Sequence, residues 1–271
     1  MGASLTPADI AAYRIFLDQL AEAAAEVTLP LFKRPLEVVN KGRKLDIDYD
    51  PVTEADQQAE KVIRQHINAT YPTHNILGEE WGAETNCAAD ETPWTWVLDP
   101  IDGTRAYICG IPTWGTLVAL NNGTQALVGM LDQPYLKERY IGTPNGSFLN
   151  GEKITCRPCT DLTQATVSTT DPTQFFATDK DVAAFNRVAG KARLVRNGYD
   201  CYAYAMVAAG FIDVVIESGL EAYDIQALIP IIEGAGGVVS DWRGESVLQG
   251  GQVVASATPE LHQQVLSLLQ G

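Results

Sequence analysis

Basic residues are scarce in this chain. Only 19 lysines and arginines stand against 34 aspartates and glutamates, for a formal net charge of −15. Such a balance repels nucleic acid phosphates and anionic lipid headgroups, and argues against either as a partner. Cysteine is also sparse. The 5 cysteines, Cys87, Cys109, Cys156, Cys159 and Cys201, are odd in number and scattered, which argues against a disulfide framework and for a reducing, cytoplasmic setting. Cys156-Arg157-Pro158-Cys159 has C-x-x-C spacing, but no second Cys or His pair accompanies it to complete a zinc site. His66, His74 and His262 are isolated, and His66 falls at the edge of a helical stripe, where a structural role is expected. No apolar run reaches membrane-spanning length, and Met1-Gly2-Ala3-Ser4-Leu5 lacks the basic and apolar regions of a signal peptide. Without a G-x-S-x-G elbow, a P-loop or a Cys-x5-Arg cradle, nothing points to a phospho-enzyme.

What is present is apolar and patterned. With 271 residues and 46% hydrophobic side chains, the chain can bury the core of one large α/β unit or two fused halves. Thr6-Pro7-Ala8-Asp9 starts a long Ala-rich helix ending near Pro30. A second helix is expected to begin at Pro51, since Ala55, Ala59, Val62, Ile63 and Ile67 form a 3.6-period stripe. Strand-like runs follow at 94–98, 116–121, 125–131 and 139–142, with Asn122-Gly123 as a hairpin signal. Residues 142–151 read as a turn region. The second half alternates strands and helices, among them a helix at 202–209, another at 223–234, and a last one capped by Thr258-Pro259. Helices layered against two sheets would bury these faces.

One stretch carries chemistry: Trp96-Val97-Leu98-Asp99-Pro100-Ile101-Asp102-Gly103-Thr104. A strand ends in two carboxylates with a proline fixing the backbone between them, so Asp99 and Asp102 can converge. Hard cations such as Mg²⁺ favour such oxygen ligands and leave room for phosphate oxygens. Gly103 and Thr104 offer N–H groups at a helix start, where an anion is favoured. An Asp-Pro turn that merely caps the helix is the plain alternative. Three more acids stand in similar places: Glu79 after Ile76-Leu77-Gly78, Asp56 in a first helical turn, and Asp224 opening a helix. Taken singly, each is most simply a cap or a solvated acid.

Together, Gly78-Glu79-Glu80, Leu98-Asp99-Pro100-Ile101-Asp102-Gly103-Thr104, and Tyr223-Asp224-Ile225-Gln226-Ala227 before Gly234-Ala235-Gly236-Gly237 resemble the inositol monophosphatase superfamily. Asp200-Cys201-Tyr202-Ala203-Tyr204, the tract 220–230 and Met130-Leu131-Asp132-Gln133-Pro134 look like its histidinol-phosphatase branch. Tyr223 departs from the usual tryptophan of the inositol enzymes, and Asp50 from a common serine. The resemblance implies an α/β fold, an αβαβα sandwich, with residues 1–271 forming one catalytic domain of two halves, about 1–155 and 156–271. It implies a lithium-sensitive phosphomonoesterase using two or three Mg²⁺ ions, which Mn²⁺ could replace, and a homodimer. Glu79, Asp99, the Ile101 carbonyl, Asp102 and Asp224 would ligate metal, and Gly103 and Thr104 would hold phosphate. Asp56 would pair with the Thr104 hydroxyl to orient the attacking water, with Glu79 also in the catalytic set, and would help hold a third ion. The family's active-site lysine has two candidates, Lys41 and Lys44.

Two cations about 3.5–4 Å apart would stabilise both the attacking and departing oxygens. L-Histidinol phosphate carries an ammonium and an imidazole, so an acidic, aromatic pocket is expected. Glu217, Asp200 and Tyr223, with Glu221, Tyr199 and Tyr202, are the candidates. Inositol monophosphate or a phosphonucleotide is the nearest rival substrate, and a catalytically inactive metal-binding relative is a rival of another class.

Overall fold

The structure is a computed structural model that describes residues 5–35, 37–42, 51–88 and 93–271. Lys44 and Asp50 therefore lie outside the described residues. Helix α1 (Pro7–Leu31) opens on a reciprocal cap: Thr6 accepts from the Asp9 N–H while Asp9 accepts from the Thr6 N–H, with Pro7 in the first turn. Pro30 lies in its last turn, and Phe32 leaves the helix in an extended conformation. Strands β1 (Val38–Asn40) and β2 (Pro51–Thr53) form a small antiparallel pair. Helix α2 (Glu54–Thr70) starts at Glu54, three residues later than Pro51, because residues 51–53 are spent on β2 and Thr53 becomes the cap.

There follow β3 (Asn75–Gly78), β4 (Gly82–Glu84), β5 (Thr95–Asp102), α3 (Thr104–Ile108), β6 (Gly115–Asn121), β7 (Ala126–Gln133), β8 (Glu138–Thr143), β9 (Gly146–Leu149) and β10 (Glu152–Ile154). Among the described residues the first sheet has the order β10-β9-β8-β7-β6-β5-β3-β4, antiparallel apart from the β3/β5 pair. The stretch 142–151, expected as turn, instead holds the end of β8 and all of β9. Its Gly, Pro and Asn residues make tight turns between short strands.

The chain continues through β11 (Thr166–Thr169), α4 (Pro172–Phe175), α5 (Asp179–Ala189), β12 (Leu194–Asn197), α6 (Asp200–Ala208), β13 (Val214–Leu220), α7 (Ala222–Ile225), α8 (Leu228–Gly234), β14 (Val238–Ser240), β15 (Gly251–Ser256) and α9 (Pro259–Gln270). The second sheet has the order β12-β11-β13-β15-β14. The single helix expected over 223–234 is two. A proline deep inside such a helix would break an i to i−4 hydrogen bond, whereas restarting at Leu228 leaves Pro230 in the first turn of α8.

Strand alternation builds the layers. On β5, Trp96 and Leu98 face α1 and α2, packing with Phe16, Leu20, Ile63 and Ile67, while Val97 faces the opposite way. There it joins a central core with Tyr204 of α6, Ile231 of α8, and Val215 and Val253 of the second sheet. Val214 and Ile216 point outward from β13 to Phe185 of α5 and Val265 of α9. The result is an αβαβα sandwich with α6 and α8 in its middle layer. Contact there is close: a Cβ on Gly142 of β8 would stand 2.2 Å from the Ile231 amide nitrogen, so no larger residue fits. Among the described residues, no helix is long and apolar enough to cross a membrane.

Candidate active site

Strands β3 and β5 run parallel with Gly78 opposite Leu98, so both chains arrive together at one end of the sheet. Glu79 follows β3 directly, its N–H donating to the Leu98 carbonyl at 3.1 Å, and Asp99 lies beside it on β5. In a regular strand, residues three apart face opposite ways. Here Asp99 pairs with Leu117 and Asp102 with Gly115, so β5 spends three steps where β6 spends two. The extra residue is a β-bulge, and it returns Asp102 to the side of Asp99. The Asp99 Oδ1 accepts the Ile101 N–H at 3.1 Å, and the Thr116 hydroxyl holds the Pro100 carbonyl at 2.9 Å.

After the bulge, Gly103 turns with φ +82°, and a Cβ there would lie 3.0 Å from the Asp200 side chain. This turn starts α3 and brings the Thr104 hydroxyl 3.3 Å from Asp56 Oδ1 and 3.1 Å from the Ile101 carbonyl. Asp56 is buried and held from behind, its Oδ2 accepting the Thr53 N–H at 2.9 Å and the Thr53 hydroxyl at 2.6 Å.

The second half closes the cleft. Asp200, at the start of α6, has φ +47°, a conformation Asp tolerates better than most residues. Its carboxylate accepts from the Thr113 hydroxyl at 3.2 Å, and the next N–H, that of Cys201, donates to Asp102 Oδ2 at 3.0 Å. Asp224 on α7 accepts the Glu221 N–H at 2.7 Å. Glu217, only 3% exposed, accepts from Thr170 N–H at 2.6 Å, Thr170 Oγ1 at 2.9 Å and Thr169 Oγ1 at 3.2 Å. Glu79, Asp99, Asp102, Asp200, Glu217 and Asp224 all line one cavity of about 140 Å³.

Crowding of acids away from water sets the electrostatics. Burial raises the Asp99 and Asp102 carboxyls well above the ordinary carboxylate range, and neighbouring charges raise them further: Glu79 first for Asp99, Asp224 first for Asp102. Burial likewise lifts Asp56 and Asp200 to about 6 and Glu217 to about 8, against hydrogen bonds that favour their charged forms. Lys41 answers part of this charge. It lies 3.2 Å from Glu79 and also pairs with Glu80, and those two acids hold its ammonium charged in spite of burial.

Among the described residues, no three His, Cys, Asp or Glu side chains close into a tight cation cage. The acids frame the cleft, and Asp99, Asp102 and Asp224 are each aimed by a backbone N–H. The donor set is all oxygen and strongly anionic, which suits a hard divalent cation rather than a thiophilic one.

The expected residues Glu79, Asp99, Ile101, Asp102, Gly103, Thr104, Asp200, Glu217 and Asp224 thus line one cleft, with Asp56 immediately behind Thr104. Tyr223 does not line it. That ring is half-buried against the central core, because α7 turns Asp224 inward and its neighbour away. Tyr199 and Tyr202 are spent elsewhere, on Arg196 and Glu138. Cys156 and Cys159 are free thiols outside the cleft, and burial pushes Cys156 up to about 11.

Sequence reasoning passed over Arg105, Thr170, Phe175 and Tyr204, which also line the cavity. Arg105 stacks over Phe175 at 4.6 Å and donates to Gln174 at 2.8 Å, tying α4 across the cleft mouth. A signal existed for Tyr204, which follows Asp200 by four residues and shares its helix face. None existed for Thr170 and Phe175, whose placement depends on β11 lying next to β13.

Comparison with known proteins places the chain in a family. The model of the inositol monophosphatase family matches residues 9–271. The chain is 43% identical over 262 residues to the chloroplastic bifunctional phosphatase IMPL2 of Arabidopsis thaliana, covering 93% of this chain and 73% of that protein. It is 33% identical over 257 residues to a histidinol-phosphatase of Chlorobaculum parvum, covering 93% and 94%. A solved inositol monophosphatase from Zymomonas mobilis superposes with a TM-score of 0.82 at 36% identity, covering 94% of this chain and 96% of that one. The acid-lined cleft at the bulged end of β5 is the candidate active site of a phosphatase, and the chain belongs to the inositol monophosphatase family.

Proposed function

We propose that the protein is a Mg²⁺-dependent phosphomonoesterase that hydrolyses L-histidinol phosphate to L-histidinol and phosphate. The observation that carries the chemistry is the meeting of Asp56, Thr104 and the bulged pair Asp99 and Asp102 beside one cavity. Glu79, Asp99, the Ile101 carbonyl, Asp102 and Asp224 are the residues that would hold cations, with Asp56 near enough to Thr104 to share in a third site. Bound there, a divalent cation supplies positive charge to the phosphate and acidifies the attacking water.

The chain's own residues do the positioning. Gly103 and Thr104 present backbone N–H groups to the phosphate. The Thr104 hydroxyl donates to Asp56 Oδ1, which leaves its oxygen lone pair to accept a proton of the incoming water. Asp56 thereby fixes the direction from which water reaches phosphorus, in line with the departing alcohol. The leaving group then faces the wall formed by Glu217 and Asp200, whose carboxylates suit an ammonium-bearing alcohol. The histidinol-phosphatase relative of Chlorobaculum parvum supports that substrate.

A phosphate-release panel tests the reading with L-histidinol phosphate, inositol 1-phosphate and 3′-phosphoadenosine 5′-phosphate, each with Mg²⁺ and after exhaustive EDTA treatment. The highest kcat/KM is expected on histidinol phosphate, lost with EDTA and restored by Mg²⁺ or Mn²⁺. Preference for inositol 1-phosphate, the substrate class suggested by the Zymomonas mobilis neighbour, would overturn the substrate. Turnover that survives EDTA would overturn the metal.

A further inference from the structure

Buried polar atoms in folded proteins nearly always have a hydrogen-bond partner, and each exception asks for an explanation. Among the described residues, the side-chain exceptions are Trp114 Nε1, Ser168 Oγ and the Tyr204 hydroxyl. Of these residues only Tyr204 lines the catalytic cleft. Its ring is 2% exposed and packed in the central core, so the phenol cannot turn away to reach bulk water. The charged groups that act most strongly on it are Glu217, Asp102 and Asp224. None of the three is hydrogen-bonded to the phenol.

That leaves a buried phenol oxygen without a protein partner on a residue that lines an anionic cavity. A phenol oxygen in such surroundings is well suited to accept from a cationic N–H donor. Glu217 lies close by, its carboxyl fixed by Thr169 and Thr170 and, among the described residues, paired with no basic side chain. Burial lifts that carboxyl to about 8, and an adjacent ammonium would draw it back to its charged form. An ammonium placed between them would find a lone pair on one side and a carboxyl that it would help to ionise on the other.

We propose that Tyr204 is a leaving-group-binding residue, its hydroxyl accepting a hydrogen bond from the amine of an amino-alcohol phosphate that Glu217 attracts by charge. This assignment rests on the substrate reading above and adds to it the residue that recognises the amine. It separates amino alcohols from polyols that would offer only neutral hydroxyls to the same corner.

Tyr204→Phe deletes one oxygen and leaves the ring, so its effects can be read on stability and on kinetics separately. With no protein partner to lose, the variant should melt at the wild-type temperature or above it. KM for L-histidinol phosphate should rise about tenfold to a hundredfold, the range for one hydrogen bond to a charged group, with kcat and all kinetics on p-nitrophenyl phosphate unchanged. The des-amino substrate, 3-(imidazol-4-yl)propyl phosphate, completes the cycle: wild type and variant should then differ by less than twofold. Unchanged KM for histidinol phosphate, equal losses on substrates with and without the amine, or a clear drop in melting temperature would overturn the assignment. Failure of the wild-type enzyme to prefer histidinol phosphate would instead remove the substrate reading beneath it.

Discussion

The Thr104 hydroxyl meets Asp56 Oδ1 at 3.3 Å across 48 residues of chain, and it is also 3.1 Å from the Ile101 carbonyl. A hydroxyl has one proton, so it donates to one of these oxygens at a time. Asp56 is fixed by Thr53 on its far side, so it offers Thr104 an oriented acceptor. If the two residues orient one water, they act as a unit. Thr104→Ala and Asp56→Asn should each lower kcat by a factor on the order of a hundred or more, and the double variant should be little worse than either. Losses that multiply in the double variant would reduce Asp56 to the cap of α2.

Burial raises the Asp102 carboxyl most, and the neighbouring charges of Asp224 and Asp200 raise it further. Its Oδ2 accepts the Cys201 N–H, a bond that the carbonyl of asparagine can keep. Asp102→Asn should therefore abolish turnover yet raise the melting temperature of EDTA-treated protein by about 2–4 °C, corresponding to about 1 kcal/mol for a chain of this size. More than about a tenth of the activity remaining, against the loss typical of a charge-stabilising group, would exclude Asp102 from contact with the ions.

Much of this site was legible because it is local in sequence. Asp99, Pro100, Asp102, Gly103 and Thr104 lie in one run, and the strand-then-helix reading of that run is what the structure has. Layering was legible too, since Trp96, Val97 and Leu98 alternate between two cores. The bulge that turns Asp102 back beside Asp99 was not, because it is defined by the partner strand and not by the residues of β5 alone. The aromatic wall was misread for a similar reason. Tyr223 and Tyr202 are neighbours of site residues along the chain, but helix geometry sends them away from the cleft and sends Tyr204 in.

Glu217 offers a substrate-dependent test. Its carboxylate is oriented by Thr169 and Thr170, and glutamine can keep an acceptor toward the Thr170 N–H while losing the charge. Glu217→Gln should raise KM for L-histidinol phosphate about tenfold or more and leave p-nitrophenyl phosphate within about twofold, the difference being one charge-assisted hydrogen bond. Steady-state kinetics on both substrates decide it. Equal loss on the two would mean that Glu217 supports the fold of the cleft rather than the leaving group.

His262, which is not among the residues lining the cleft, gives the enzyme a predictable acid limb. The ring is 3% exposed, with Nε2 at 2.8 Å from Ser240 Oγ and Nδ1 at 3.0 Å from Ser256 Oγ. Ser240 spends its own proton on the Asp241 carbonyl at 2.7 Å, so it must accept from Nε2–H. Nδ1 then accepts from Ser256, and the ring is neutral. Protonating Nδ1 would break that bond and bury a charge, and burial lowers the imidazole from its ordinary value to about 4. In the unfolded chain the same group titrates near 6.5. Between those values the unfolded state binds more protons, so stability falls as pH drops from about 6.5 toward 4 and is unaffected by this residue above that window. The linkage amounts to about 2 kcal/mol by pH 5. Urea denaturation of wild type and His262→Gln at pH 7.5 and pH 5 isolates it, because other titrating groups are common to both proteins. The advantage of wild type over the variant should shrink by about that amount at the lower pH. A difference that stays constant across the window would mean that His262 is not held neutral in the fold.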